Sequence, residues 1–316
     1  MTRALLWLKN PEPYRLAVER AGLSGRVMVD AARVGERPTP EALAAAEVLM
    51  AVSVPAGVLA QMPRLRWVQS GSVGVDHWLA RPDLRLEVQL TCARGTHRVS
   101  MPENILGALF HATKPFLAAA MQQREAKWVN RVSSTLAGKT LGILGLGAIG
   151  AELARKAAAL EMRVIGTKRT AGPVAHVAQV YPPAALDEVL AQSDFVVLLL
   201  PLTAETADLM NAARFAKMKP SAWFINFGRG ASVVDDDLIA AVRGQRIAGA
   251  ILDVFREEPL PSAHPFWATE GIRVLPHIGG FQNERDDIVA AQLVENLRRD
   301  LDGRPLAEVV DRARGY

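Results

Sequence analysis

The residues from Leu141 to Leu153 carry the first chemistry that the chain offers. An apolar run, Leu141 to Leu144, meets Gly145, Gly147 and Gly150, and Ala151-Glu152-Leu153-Ala154 continues at helical spacing. That order is strand, tight turn, helix. The first glycine permits the turn, the second lets a pyrophosphate approach bare backbone, and the third lets helix pack on strand, while the helix N-terminus offers N–H donors to phosphate. A G-x-G-x-x-G alone is common, but these flanks point to a dinucleotide site. In an open parallel sheet, ligands gather beyond the carboxyl ends of the strands. Lys168-Arg169, Pro201, Phe227-Gly228-Arg229-Gly230, Asp253 and His277 each follow an apolar run, so flexible turns and polar groups converge on one edge.

The elements that must position these residues alternate between strand and helix. Apolar segments at Ala4–Leu8, Val27–Val29, Val48–Val52, Arg66–Gln69 and Leu86–Ala93 are separated by helical patterns at Glu12–Ala21, Pro40–Ala46 and Pro55–Gln61. Such alternation predicts a parallel sheet. Ser100-Met101-Pro102-Glu103 has the form of a capping box with proline in the first turn, and it predicts a long helix running to about Gln122, a bridge between domains. A second α/β unit begins at Lys139, with strands predicted at Thr140–Leu144, Met162–Thr167, Phe195–Leu200, Trp223–Asn226, Ala248–Asp253 and Ile272–Leu275. The segment Asn283–Leu301 is apolar on one side, through Ile288, Val289, Leu293, Val294, Leu297 and Leu301, and is expected to cross back onto the first unit. The domains expected are therefore residues 1–98 with 282–316, and residues 99–281.

Composition narrows the class. A chain of 316 residues, half of them hydrophobic, can bury a large core and is long enough for two domains. No apolar run approaches the ~20 residues of a membrane span, and the N-terminal run breaks at Lys9-Asn10-Pro11, too early for a signal-peptide core. A soluble, cytoplasmic protein with no membrane partner is expected. Cys92 is the only cysteine, which excludes an intramolecular disulfide and a cysteine zinc cluster, and it reads as a small buried hydrophobe in a strand over residues 87–93. The net charge of +4 is modest, and Lys and Arg are scattered without runs or interleaved aromatics, so nucleic acid is not an expected partner.

Four segments taken in order, L-A-G-K-T-L-G-I-L-G-L-G-A-I-G, I-N-F-G-R-G-A-S-V-V-D, G-A-I-L-D-V-F-R-E-E-P-L and L-P-H-I-G-G, resemble the motifs of the D-isomer-specific 2-hydroxyacid dehydrogenases. R-W-V-Q-S-G-S-V-G-V-D-H, at Arg66 to His77, is similar to that family's substrate loop. The resemblance implies a Rossmann cofactor domain and a flavodoxin-like substrate domain, both doubly wound parallel sheets, with a cleft between. It also implies hydride transfer between a nicotinamide cofactor and a small 2-oxo or 2-hydroxy acid. That chemistry needs a cation on the carboxylate and ketone, and an acid for the new alkoxide. Arg229 suits the first role through its planar fork. His277 suits the second, because histidine titrates near neutral pH. Glu258 resembles the carboxylate that orients the histidine, with Glu257 as its decoy. Val73 and Gly74 resemble the backbone donors to the substrate carboxylate, although the same loop also reads as a turn capped by Asp76. Asp253 resembles the contact on the nicotinamide side, a helix cap being its other reading. Gly145, Gly147, Ala148, Ile149, Gly150, Leu200, Pro201, Phe227, Gly228 and Gly279 complete the implied cofactor site. Of the other histidines, His111, His176 and His264 read as structural, while His77 and His97 follow first-unit strands.

The chain departs from the family pattern after its second cofactor-domain strand. Where an acid often reads the ribose 2′-hydroxyl, Thr167-Lys168-Arg169-Thr170 places cations eighteen and nineteen residues past Gly150 and no acid. A 2′-phosphate suits that site, so NADP is the preferred cofactor and NAD a possible one. The expected protein is an NADPH-dependent reductase of glyoxylate or hydroxypyruvate, and a homodimer. The alternatives are the same fold acting on a larger 2-oxo acid, formate or phosphite, and a non-catalytic cofactor-sensing protein, which fold analogy alone does not exclude.

Overall fold

The computed structural model describes residues 1–170 and 172–315. The chain divides into two compact units, Met1–Thr96 with Gln282–Tyr316, and His97–Phe281. In the first, β1 (Thr2–Leu8), β2 (Val27–Arg33), β3 (Val48–Ala51), β4 (Trp67–Ser70) and β5 (Gln89–Thr91) form one parallel sheet in the order 2-1-3-4-5. This is the flavodoxin-like order. Helices α1 (Glu12–Arg20), α2 (Pro40–Ala45) and α3 (Asp76–Leu79) connect its strands. Strands β1, β3 and β4 are buried almost throughout, as befits central strands covered on both faces.

The second unit opens with α4 (Ser100–Thr113) and α5 (Phe116–Arg124). Its sheet contains β6 (Thr140–Leu144), β7 (Arg163–Thr167), β8 (Gln179–Tyr181), β9 (Phe195–Leu198), β10 (Trp223–Asn226), β11 (Gly249–Leu252) and β12 (Ile272–Val274), joined in part by α6 (Ala148–Ala159), α7 (Leu186–Gln192), α8 (Ala212–Phe215) and α9 (Asp235–Arg243). The order is 12-11-10-9-6-7-8 and every pairing is parallel. Strand order reverses between β6 and β9, so the glycine turn after β6 opens at the topological switch point, where ligands bind in such sheets. After this unit, α10 (Arg285–Leu301) returns to the first and buries Val289, Leu293 and Leu297 against Tyr14, Val18 and Leu6.

Several expectations are corrected. The long helix from Ser100 to Gln122 is two helices, because Pro115 has no N–H to donate and drives Lys114 into an extended conformation (φ −111°, ψ 141°). The capping box does not form. The Met101 N–H already bonds the His97 carbonyl at 3.1 Å, so the helical turn starts before Ser100, whose buried Oγ makes no hydrogen bond. Residues 55–61 yield only a short 3₁₀ turn at Val58–Gln61. Strand β8 is an addition to the expected strands, since a three-residue edge strand carries almost no periodicity. Cys92 is buried but sits one residue past β5.

Candidate active site

The glycine turn has the shape that a pyrophosphate requires. Gly145 adopts φ +114°, a region that glycine tolerates, and a Cβ there would lie 3.2 Å from the Leu199 carbonyl. A Cβ on Gly150 would come within 2.4 Å of the Gly145 carbonyl oxygen, so the third position must be glycine for α6 to seat against β6. By contrast, the space around Gly147 is open. Gly147 is also the N-cap of α6, supplies no side-chain cap, and is followed by Ala148 and Ile149 in the first turn. Two closed glycines flanking an open one, at an uncapped N-terminus, fit a dinucleotide's phosphates.

Beside this turn, the Leu146 N–H bonds the Thr167 carbonyl and the Lys168 N–H bonds the Tyr181 carbonyl, which fixes the exit of β7. Arg169 forms an ion pair with Glu205 at 3.8 Å. A carboxylate thus reaches the exit of β7 from the segment after β9, a contact that local spacing does not show. Leu200 and Pro201 lie on that same exit: a Cβ on Gly228 would meet the Leu200 carbonyl oxygen at 2.9 Å, and the Pro201 carbonyl accepts from Thr206 Oγ1 at 2.7 Å.

Beyond β10, buried Asn226 shapes the turn that carries Arg229. Its Oδ1 accepts from the Gly228 N–H and its Nδ2 donates to the Arg229 carbonyl, both at 3.0 Å. Arg229 is half-buried, and its Nη1 donates to the Gly228 carbonyl at 2.8 Å. A Cβ on Gly230 would meet the Phe255 carbonyl carbon at 1.9 Å, so glycine lets this turn close on the segment between Asp253 and Glu258. Phe227 in turn packs on Gly279, where a Cβ would lie 2.5 Å from its ring.

His277 sits on the turn after β12 with φ +53°, a conformation that costs a non-glycine residue energy unless its surroundings hold it. Those surroundings are explicit. Buried Asp253, at the exit of β11, accepts from the N–H groups of Ile278 and Gly279 at 2.7 and 2.8 Å. Asn104 of α4 donates to the Gly279 carbonyl at 3.0 Å. The ring is held as well: His277 Nδ1 meets Glu258 Oε2 at 2.6 Å, and Glu258 Oε1 accepts from the Phe255 N–H at 2.8 Å. Burial pushes the Asp253 carboxyl above its ordinary range, although the two backbone donors and His277 pull the other way. Asp253 is thus bound to a turn rather than capping a helix. Glu258, not exposed Glu257, reaches the imidazole, whose ring remains 55% exposed.

The structure therefore brings Arg229, Asp253, Glu258, His277 and Gly279 together around packed loops of one unit. Val73 and Gly74 belong to the other. There, Ser72 Oγ donates to the Gly74 carbonyl at 2.8 Å, Arg285 bonds the Gly71 carbonyl, and Val75 rather than Asp76 occupies the cap position of α3. His77 Nε2 contacts the Val52 carbonyl at 2.7 Å, and His264 accepts from the Phe266 N–H and faces Asp235, which gives both structural partners. Asn104, Glu205 and Asn226 join the expected residues through contacts that the structure supplies. Only Asn226, next to the Gly228–Gly230 turn, left a local signal.

Residues 106–279 match the family model of the D-isomer specific 2-hydroxyacid dehydrogenase NAD binding domain. Glyoxylate/hydroxypyruvate reductase B of Citrobacter koseri is 35% identical over 272 residues, covering 84% of either chain. The chain belongs to the D-isomer specific 2-hydroxyacid dehydrogenase family. Among solved structures, a family member from Xanthobacter autotrophicus Py2 in complex with NADPH and MES aligns over the whole of both chains with TM-score 0.87 and 35% identity. The NADPH-dependent glyoxylate/hydroxypyruvate reductase of Sinorhizobium meliloti, in complex with NADP and sulfate, does so with TM-score 0.86 and 31% identity. The enzyme is an NAD(P)-dependent oxidoreductase of the 2-hydroxyacid dehydrogenase type. Among the described residues, no helix is long and apolar enough to cross a membrane, and no cluster of three His, Cys, Asp or Glu side chains is disposed to hold a metal ion.

Proposed function

We propose that the enzyme reduces a small 2-oxo acid of the glyoxylate or hydroxypyruvate type to the D-2-hydroxy acid, with NADPH preferred over NADH. The observation that carries this reading is the 2.6 Å contact between His277 and Glu258, set on loops that pack with the Arg229 turn. The names of the reductase relatives support the substrate class. Gly145 to Gly150 hold the cofactor phosphates, Lys168 and Arg169 the 2′-phosphate, and Leu200, Pro201, Phe227, Gly228, Asp253 and Gly279 the remainder. Bound there, the reduced nicotinamide supplies the hydride. Arg229 grips the substrate carboxylate and draws electron density from the ketone oxygen. In the other unit, the Val73 and Gly74 N–H groups are the proposed backbone donors to a carboxylate. Nε2 of His277, the ring nitrogen that Glu258 does not hold, gives its proton to the alkoxide as it forms, while Glu258 on Nδ1 keeps the ring oriented. We place the enzyme in the cytoplasm, where reduced nicotinamide is replenished. We also propose a homodimer, because Phe116, Met121, Trp128 and Val132 expose 69%, 60%, 93% and 100% of their surface along one stretch of chain.

The test is kcat/KM against pH in both directions. Reduction requires the protonated imidazole and oxidation the neutral one, so the two profiles slope oppositely. Glu258→Gln removes the carboxylate that holds Nδ1 at 2.6 Å, so kcat/KM should fall in both directions. His277→Ala should abolish the reductive limb with most of the rate. Profiles with the same slope in both directions, or a limb that survives His277→Ala, would remove His277 from the role.

A further inference from the structure

The exit of β7 carries two cations where a carboxylate often reads the ribose, yet a carboxylate reaches this place from another strand. Glu205 Oε2 lies 3.8 Å from Arg169 Nη2, with side chains 83% and 52% exposed. The turn that mounts Glu205 is closed by hydrogen bonds of 2.7 Å from the Thr203 N–H to Thr206 Oγ1 and from Thr206 Oγ1 to the Pro201 carbonyl. Its root packs on the glycine turn, since a Cβ at Gly145 would lie 3.2 Å from both the Leu199 carbonyl and the Leu200 side chain. The carboxylate thus stands on the same strand exit that walls the phosphate turn.

We propose that Glu205 is a cofactor-selectivity residue. It is a counter-ion that competes with the 2′-phosphate of NADP(H) for Arg169, and it holds the preference for NADPH below what the two cations alone would set. This rests on Arg169 being the 2′-phosphate ligand. With NAD(H), the Glu205–Arg169 pair stays intact and its carboxylate is an acceptor for a hydroxyl. With NADP(H), a dianionic phosphate must share Arg169 with a like charge. Freeing Arg169 from an exposed ion pair changes its affinity for a second anion by about fivefold at most, and less as salt rises.

The experiment compares wild type, Glu205→Gln, Arg169→Ala and the double variant. It measures kcat/KM for NADPH and NADH with one 2-oxo acid, and calorimetric Kd for NADP⁺ and NAD⁺, at low and high salt. Glu205→Gln should raise both NADP-to-NAD ratios by about twofold to fivefold at low salt, with a smaller gain at high salt and in the Arg169→Ala background. Its Tm should stay at the wild-type value, since the side chain is exposed. Selective loss of NADP(H) in Arg169→Ala, together with ratios unmoved or lowered in Glu205→Gln, would overturn the proposal and leave the phosphate reading standing. Equal loss of both cofactors in Arg169→Ala would overturn the phosphate reading, and the proposal with it.

Discussion

Asp253→Asn isolates the support beneath the catalytic turn. The carboxylate spans two adjacent N–H groups, of Ile278 and Gly279, at 2.7 and 2.8 Å. Asparagine of the same size keeps one acceptor oxygen and turns an NH₂ toward the other donor. One buried N–H is then left without a partner, which costs about 1–3 kcal/mol. Removal of a buried charge offsets part of this, so a net loss of about 1–2 kcal/mol at neutral pH is expected in urea unfolding. The offset depends on pH with a defined sign. Burial raises this carboxyl above its ordinary 3.8, so the native state binds the proton more tightly than the unfolded chain does. Its contribution to stability is present below the unfolded value and is lost as pH rises through the raised one. The variant lacks that decline, so its stability relative to wild type should improve as pH rises above the ordinary carboxylate range. Activity should not recover in step. His277 occupies a left-handed conformation that this turn enforces, and a displacement of about an ångström costs on the order of a hundredfold in rate, so kcat should fall by roughly tenfold to a hundredfold at every pH. A variant that loses stability as described yet keeps kcat within threefold of wild type would show that Asn104 and Glu258 hold the histidine without Asp253.

Two further changes probe the other turns. Arg229→Lys keeps the charge but loses the planar fork, so kcat/KM should drop by roughly tenfold or more on every 2-oxo acid while Tm holds; near-normal turnover would withdraw the carboxylate role. Gly150→Ala places a Cβ 2.4 Å from a backbone oxygen that cannot swing aside, so it should cost about 1–3 kcal/mol and weaken both cofactors together; unchanged calorimetric affinity would mean that the turn has more slack than its geometry shows.

Both sheets are legible in the sequence because their strands are short apolar runs ended by glycine, proline or a polar residue, and the β6 run, Thr140–Leu144, is read to the residue. The edge strand β8 is not legible, since three residues show no period, and the helical pattern over residues 55–61 is legible as an element but overstates what is a short 3₁₀ turn at Val58–Gln61. Pro115 was readable as a break, but the apolar spacing on either side of it masks the interruption. Within the candidate site, legibility follows sequence distance. Asn226, Gly228 and Arg229 bond within three residues of one another. Asn104 and Gly279 lie 175 residues apart and meet only because α4 packs over the exit of β12. Glu205 reaches Arg169 only because β9 and β7 flank β6. Contacts made by sheet order leave no mark in local spacing.

The proposed reaction is tested most directly by following nicotinamide absorbance with glyoxylate, hydroxypyruvate, pyruvate and larger 2-oxo acids, each with NADPH and with NADH, in wild type and His277→Ala. Turnover of glyoxylate or hydroxypyruvate with NADPH ahead of NADH, lost in His277→Ala, is the result expected. Tight NADP⁺ binding by calorimetry with no oxidation of either cofactor by any 2-oxo acid would contradict it, and would make the chain a cofactor-binding protein on a dehydrogenase fold.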